Sequence, residues 1–499
     1  MILGPLAMDD MKLQQLLPVL GTAQSRKIWA DCDIRGLAYD SRHVRPGFLF
    51  FALSGQRDDG VRHIDEALQR GAVAVVGEAP VALRHVPYIQ VAHARHAMAD
   101  VAAAFFRNPS SALRVVGVTG TNGKTTTAFM IRSLMQAQGH TSGLISTVRY
   151  EIGSRQIPAA RTTPEAPDIQ AMLQKMDQAG CDSVVMEVSS HALDQARVRG
   201  VAFDVAVFTN LSPDHLDYHG SMERYAEAKQ RLFAQLADSS KDTVAVINAD
   251  DSCAEMFIHT ARDAGAKQVL TYGFTDGADV QMTHARATPQ GSEAQLTSPW
   301  GQHEVRIHQR GRFNLANAMA ALTACAGQGL PMDALVAALP QVEQVPGRLQ
   351  WVGDAEGAGV YVDYAHTEDA LRNALAVLRE ITPNRLLLVF GCGGDRDQAK
   401  RRTMGQVADE AADEVWITSD NPRSESPETI ARQVAEGFSS SGRYRIELDR
   451  AIAIQAAIAA AQPGDTVLIA GKGHERFQEF AHTVIPFDDV EVARRALEG

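Results

Sequence analysis

The stretch Arg114-Val115-Val116-Gly117-Val118-Thr119-Gly120-Thr121-Asn122-Gly123-Lys124-Thr125-Thr126 decides the fold. Its apolar, β-branched opening reads as a strand ending at Val118, and Thr126–Gln138 reads as a helix. In a strand–loop–helix unit of this kind, backbone N–H groups and the helix N-terminus cradle a phosphate. Lys124 supplies positive charge for a transferring phosphoryl group, and the Thr125 hydroxyl suits Mg²⁺. The spacing departs from the strict pattern GxxxxGK[ST] at one place. That pattern has glycine where this chain has Val118, with Gly117 and Gly120 on either side.

The alternation of short apolar runs with Ala- and Leu-rich stretches continues on both sides of this loop, across 499 residues. It predicts an α/β protein with largely parallel sheets and three sections. The first, 1–112, holds the strand-like runs Phe48–Leu53 and Ala72–Val76 and ends at the breaker Asn108-Pro109-Ser110-Ser111. The second, 113–345, opens on the phosphate loop and includes a polar, turn-rich stretch, Thr283–Gln302, that reads as strands and loops decorating a sheet. The third, 346–499, follows Gln344-Val345-Pro346-Gly347 and has strand-like runs at Gly359–Asp363, Arg385–Phe390, Glu414–Thr418 and Thr466–Ala470, as in a doubly wound sheet. A net charge of −12, spread without acidic or basic blocks, argues against a nucleic-acid groove or a membrane surface. No apolar run is long enough for a bilayer, and the N-terminus lacks a basic-then-apolar leader pattern. The five cysteines lack CxxC spacing, which fits free thiols in a reducing compartment.

Beyond the loop, the apolar run Ser183–Val188 carries Glu187 near its carboxyl end, where a Mg²⁺ ligand of an open α/β sheet belongs. The run Phe203–Thr209 leads into Asn210-Leu211-Ser212-Pro213-Asp214-His215-Leu216-Asp217-Tyr218-His219-Gly220, dense in acidic and imidazole groups. In the following helix Tyr225, Leu232, Phe233 and Leu236 form an apolar stripe, and Lys229 lies on it, four residues from both Tyr225 and Phe233. Either this lysine snorkels outward, or it is buried with its amine driven toward the neutral form. Further on, four strand ends carry Asp363-Tyr364-Ala365-His366, Gly391-Cys392-Gly393-Gly394-Asp395-Arg396-Asp397, Asp420-Asn421-Pro422-Arg423 and Gly471-Lys472-Gly473-His474-Glu475. Arg396 and Arg423 offer planar forks for carboxylates and Glu475 an acceptor for an ammonium, which describes a pocket for an amino acid with several charged ends. Solvated loop charges are the alternative.

The strings GTNGKTTT, MEVSSHAL, FTNLSPDHLDYHG, AEAK, GRFNLAN, PGR, DYAHT, GCGGDRD, SDNPR and GKGHE, in this order between Gly120 and Glu475 and within a match that runs from about Asp40, resemble the Mur ligases, the cytoplasmic amino-acid-adding enzymes of peptidoglycan synthesis. The resemblance implies an N-terminal domain for the UDP end of the substrate, a central ATPase, a Rossmann-like C-terminal domain and a monomer. It is nearest to members that add meso-diaminopimelate to UDP-N-acetylmuramoyl-L-alanyl-D-glutamate, using ATP and Mg²⁺ through an acyl phosphate. It implies that Lys229 carries a CO₂-derived carbamate, and that Glu187, His215, the modified Lys229 and Thr125 hold metal. Asn314, Arg348 and Asp363 would join Gly120–Thr126 at the nucleotide. Ser41, Thr162, Thr163, Ser189, Gln195 and Arg197 would contact the nucleotide-sugar peptide. Asp420, Asn421, Pro422 and Arg423 would select diaminopimelate with Arg396, Gly471 and Glu475, because an arginine at 423 favours a side chain ending in an extra carboxylate. The chain departs from the family at Glu368, at Pro213 and within Gly55–Gly60. A folylpolyglutamate synthase-like ligase would share the phosphate loop and the lysine but lack the Asp420–Arg423 string.

Overall fold

A computed structural model describes residues 11–21, 32–55, 59–83, 85–288 and 291–498. Positions 56–58, inside the divergent Gly55–Gly60 turn, lie outside the described residues. The chain divides into two compact units. The first takes the described residues of Met1–Gln281, Thr297–Gly301 and Met319–Ala338; the second takes Met282–Leu296, Gln302–Ala318 and Leu339–Gly499.

The first unit contains a small parallel sheet of Gly36–Ala38, Phe48–Ala52, Ala72–Gly77 and Tyr88–Gln90, in chain order. Its main sheet runs Ser142–Ile145, Ser183–Glu187, Arg114–Thr119, Val205–Phe208, Val244–Asn248 and Gln268–Gly273, all parallel. Arg149–Ile152 and Arg155–Pro158 extend one edge antiparallel. The central strands are apolar without alternation because helices cover both faces, so every residue of Ser183–Glu187, Val205–Phe208 and Val244–Asn248 is buried. From Arg114–Thr119 the chain builds one side of the sheet, then crosses to build the other from Val205–Phe208. The topological switch therefore falls at the carboxyl end of Arg114–Thr119, where an open α/β sheet gathers its ligand.

In the second unit the strand order is Gln350–Ala355, Ala358–Asp363, Thr466–Ala470, Leu386–Phe390, Glu414–Ile417 and Tyr444–Ile446, parallel except for the first. Separate apolar clusters cover its two faces, one around Leu388, Ile417 and Leu468 and one around Val389, Trp416 and Ile469. This is the doubly wound sheet expected from the sequence, with Thr466–Ala470 as expected and the other three expected strands each shifted at one end by one residue. The polar stretch after Val280 forms the strands Val280–Thr288, Gly291–Ser298 and Gly301–Ile307, as expected. All five cysteines are free. Among the described residues no helix is long and apolar enough to cross a membrane.

Candidate active site

The phosphate loop explains its own missing glycine. Position 118 is still strand: Val118 is fully buried and pairs with Glu187 on one side and Val207 on the other. The turn begins only at Gly120, whose φ of 150° and the close Thr209 hydroxyl leave no room for a Cβ. Gly123, at φ 83°, caps the helix Lys124–Ala137. That helix starts two residues before the sequence reading placed it, so Lys124 and Thr125 stand in its first turn. The neighbouring strand end braces the loop. Thr121 N donates to Asn210 O at 2.8 Å, Asn122 N to Asn210 Oδ1 at 2.9 Å, and Thr209 Oγ1 to Asn122 O at 2.6 Å. Lys124 Nζ folds back onto the Gly120 and Thr121 carbonyls at 2.9 and 2.8 Å. Thr126 is buried in the helix behind it.

Lys229 does not snorkel. It is 1% exposed, its Nζ donates to the same Gly120 carbonyl at 2.8 Å, and it lies 4.4 Å from the centre of the Tyr225 ring. Burial, reinforced by the like charge of Lys124 and opposed by Asp214, lowers its pKa well below the lysine range. Keeping a buried ammonium without a carboxylate costs several kcal/mol, whereas one hydrogen bond to a carbonyl returns about 1 kcal/mol. Burial therefore favours the neutral, nucleophilic amine.

Glu187 is fully buried at its strand end and accepts hydrogen bonds from Thr147 N at 2.8 Å, Thr147 Oγ1 at 3.1 Å and Thr125 Oγ1 at 3.0 Å. Thr125 and Glu187 thus present hard oxygen donors side by side, the chemistry Mg²⁺ takes. His215 sits in left-handed backbone at φ 55°, with Nε2 3.5 Å from its neighbour Asp214. Burial is the main cause lowering its pKa; Lys124 and Lys229 add to the shift and Asp214 opposes it. Among the described residues no three His, Cys, Asp or Glu side chains group as a preformed metal cage. The hard-oxygen donors that the structure brings together here are the Thr125 hydroxyl and the Glu187 carboxylate.

Around His215 stands an aromatic group that sequence reasoning did not resolve. Its ring is 4.8 Å from His191, which is 4.2 Å from Tyr218 and 5.4 Å from His219. Burial, followed by the charges of His215 and His219, lowers His191 to about 4. The only sequence signal was the density of imidazoles in two strand-end loops, which does not rank them.

The residues matched to the nucleotide-sugar peptide, Ser41 apart, form one connected set. Thr147 Oγ1 reaches Thr162 Oγ1 at 3.1 Å. Thr163 Oγ1 donates to Glu187 O at 2.8 Å and accepts from Ser189 N at 3.1 Å. Arg197 Nη1 donates to Thr163 O at 2.9 Å and Nη2 to Gln195 Oε1 at 2.7 Å. Ser41 stands elsewhere, donating to Glu66 Oε2 at 2.7 Å.

In the second unit, Asp363 spends its carboxylate on backbone N–H groups, Leu349 at 2.6 Å and Ala365 at 2.8 Å, and burial raises its pKa. It thereby fixes the turn carrying Arg348, whose guanidinium lies 4.8 Å over Tyr364. Asn314 Nδ2 donates to Arg310 O at 2.8 Å, and its Oδ1 accepts from Asn317 at 3.2 Å. The other strand-end loops do converge. Gly471, at φ 111°, allows Asp420 Oδ2 to lie within 2.7 Å of where a Cβ would stand. Asn421 Nδ2 donates to Glu475 Oε2 at 2.9 Å. Arg423 Nη1 donates to Gly394 O at 2.7 Å, and Pro422 packs its carbonyl against Gly394. Arg396 is exposed beside this group. Glu479, outside every stretch the sequence singled out, pairs with Arg423 at 3.0 Å, and Lys472, quoted with its loop but given no role and with no exposed side chain, donates to Asn421 Oδ1 at 2.9 Å and Glu475 Oε2 at 3.0 Å.

Residues 33–106 match the Mur ligase family catalytic domain, 118–325 the Mur ligase middle domain, and 347–473 the Mur ligase glutamate ligase domain. The chain is 46% identical over 470 residues to a UDP-N-acetylmuramoyl-L-alanyl-D-glutamate–2,6-diaminopimelate ligase of Geobacillus kaustophilus, covering 93% of this chain and 95% of that protein. It is 44% identical to the Synechococcus elongatus protein of the same name, covering 98% and 99%. A solved structure bearing that name superposes with a TM-score of 0.72 at 36% identity, covering 98% of this chain and 99% of the other. MurF from Acinetobacter baumannii, at 20% identity and a TM-score of 0.66, shares the fold. On this combined footing, the chain belongs to the Mur ligase family.

Proposed function

We propose that this chain is an ATP-dependent ligase that joins meso-2,6-diaminopimelate to UDP-N-acetylmuramoyl-L-alanyl-D-glutamate. The observation that carries the reading is the convergence of Arg423, Asn421 and Glu475 at the strand ends of the second unit, in a chain that also carries the Lys124 phosphate loop. The Arg423 guanidinium, held on Gly394 O, and the Glu475 carboxylate, bonded to Asn421, suit a zwitterion with an additional carboxylate. The division into 1–112 for the UDP end, 113–345 for ATP and 346–499 for the amino acid follows the same reading.

The reaction begins when a γ-phosphoryl group passes from ATP to the free D-glutamyl side-chain carboxylate, releasing ADP. The amine of diaminopimelate then attacks the acyl carbon, loses a proton, and phosphate departs with one former carboxylate oxygen. Lys124 moves from the loop carbonyls to the transferring phosphoryl oxygens, where its charge stabilises the transition state. The loop N–H groups and the first turn of Lys124–Ala137 orient the nucleotide. Thr125, Glu187 and His215 would hold Mg²⁺, which when bound would neutralise phosphate charge. The neutral Lys229 amine attacks CO₂ and releases a proton, so an anionic carbamate replaces the buried base and adds an oxygen donor to this set. Ser41, Thr162, Thr163, Ser189, Gln195 and Arg197 receive the nucleotide-sugar peptide. Asn314, Arg348 and the turn fixed by Asp363 receive the nucleoside.

A heavy-oxygen label in the D-glutamyl side-chain carboxylate tests the pathway. Recovery of one labelled oxygen in inorganic phosphate, together with tripeptide product, is the expected result; unlabelled phosphate would exclude the acyl phosphate.

A further inference from the structure

A hairpin of Phe477–Phe480 against Thr483–Pro486 follows the last strand-end loop and grips the 419–423 segment through backbone and side chain. Gln478 Nε2 donates to Ser419 O at 3.3 Å and Asp420 O at 3.1 Å. Glu479 N donates to Asn421 Oδ1 at 3.1 Å, and Arg423 N donates to Glu479 O at 3.0 Å. The polarity of this strand is inverted for the purpose: Gln478 is 4% exposed while its neighbour Phe477 is 40% exposed. Burying an amide while leaving a phenyl ring in water is unfavourable unless the amide's hydrogen bonds are needed.

The hairpin also fixes the Arg423 side chain. Glu479 Oε2 accepts from Nε at 3.0 Å while Gly394 O accepts from Nη1 at 2.7 Å, so the guanidinium plane is held at two corners. Among the described residues Nη2 makes no hydrogen bond, which leaves that edge of the guanidinium without a protein acceptor. Arg423 has φ 52°, a left-handed backbone that costs an arginine roughly 1 kcal/mol and persists only where the surroundings impose it. The pair itself contributes little stability, because the side chains are 22% and 40% exposed and water screens them. Its worth lies in orientation.

We infer that Glu479 is a positioning residue for acceptor recognition, holding the Arg423 guanidinium so that its free edge meets the distal carboxylate of the incoming amino acid. This rests on the reading of Arg423 as the diaminopimelate-selecting arginine. The hairpin is then part of the selectivity apparatus, with Gln478 fixing the loop backbone and Glu479 the side chain.

Initial rates of the full-length enzyme against diaminopimelate and against ATP, for Glu479→Ala, Glu479→Gln, Arg423→Ala and the double variant, test this. Glu479→Ala is expected to raise the diaminopimelate KM about ten-fold while kcat and the ATP KM stay within about two-fold. Glu479→Gln, which keeps an acceptor for Nε, is expected to fall between. In the Arg423→Ala background Glu479→Ala adds nothing, because both act through one guanidinium. An unchanged KM, a lowered KM showing that Glu479 competes with the substrate, or additive losses in the double variant would overturn the inference. If Glu479→Ala melts early and loses all activity, the Gln variant decides by the same criteria. A wild-type enzyme whose ADP release ignores diaminopimelate would sink the underlying functional reading instead, before any variant is compared.

Discussion

Replacing Arg423 with alanine removes the guanidinium that this account assigns to the extra carboxylate of diaminopimelate, and the structure sets the size of the effect. The side chain is 22% exposed, so a carboxylate meeting it is partly withdrawn from water. A charge-assisted hydrogen bond in that setting is worth roughly 1.5–3 kcal/mol. Taking about 2 kcal/mol, the diaminopimelate KM should rise about thirty-fold. The structural loss is smaller: the bonds to Gly394 O and Glu479 disappear, at about 1 kcal/mol each at most, and Glu479 is exposed enough to be rehydrated. Melting should therefore fall by only several degrees. Lysine lacks the second carboxylate, so its low kcat/KM should not change, and selectivity for diaminopimelate over lysine should collapse by the same thirty-fold factor. Arg423→Lys keeps the charge without the planar fork and should recover only part of the loss. The assay is ADP release at saturating ATP and nucleotide-sugar dipeptide while each amino acid is varied. A diaminopimelate KM within about two-fold of wild type, or an equal loss with lysine, would refute the reasoning.

Gly120→Ala puts a Cβ onto the Thr209 hydroxyl at φ 150°, a strain of roughly 1–3 kcal/mol; nucleotide should no longer raise the melting temperature, and full protection would show that the loop tolerates a side chain. Glu187→Gln keeps acceptor capacity for Thr147 but loses the charge, so the Mg²⁺ concentration for half-maximal rate should rise about ten-fold; an unchanged requirement would remove Glu187 from the metal set. His191 is lowered from 6.5 to about 4, so between these values the unfolded chain binds a proton that the native one refuses. Stability should fall as pH drops through that window, and His191→Gln should flatten the slope of melting temperature against pH; an identical slope would contradict this.

What the sequence made legible was local. A strand, a loop and a helix within Arg114–Ala137 announce themselves by period and by glycine, and even the misfit at Val118 becomes ordinary once the strand is seen to run to Thr119. Lys229 was legible as a residue on an apolar stripe, but its acceptor, Gly120 O, is 109 positions away, so the choice between snorkelling and burial needed the fold. The four strand-end loops of the second unit were legible because a doubly wound sheet sends its carboxyl ends to one side. Lys472 and Glu479 were not. Lys472 bonds Glu475 within its own loop, but its bond to Asn421 spans 51 positions and that of Glu479 to Arg423 spans 56; the strand holding Glu479 buries Gln478 while exposing Phe477, so hydrophobic alternation misreads it. Tyr218 and His219 sat unranked beside His215, because only the packing against His191 separates them.

The central claim is that this chain couples ATP to the joining of a particular amino acid. It is tested most directly by measuring ADP release with UDP-N-acetylmuramoyl-L-alanyl-D-glutamate present while the amino acid is changed. The account predicts that release and tripeptide formation rise together with meso-diaminopimelate and stay near background with lysine or with none. ADP released at the same rate whatever amino acid is supplied would contradict it.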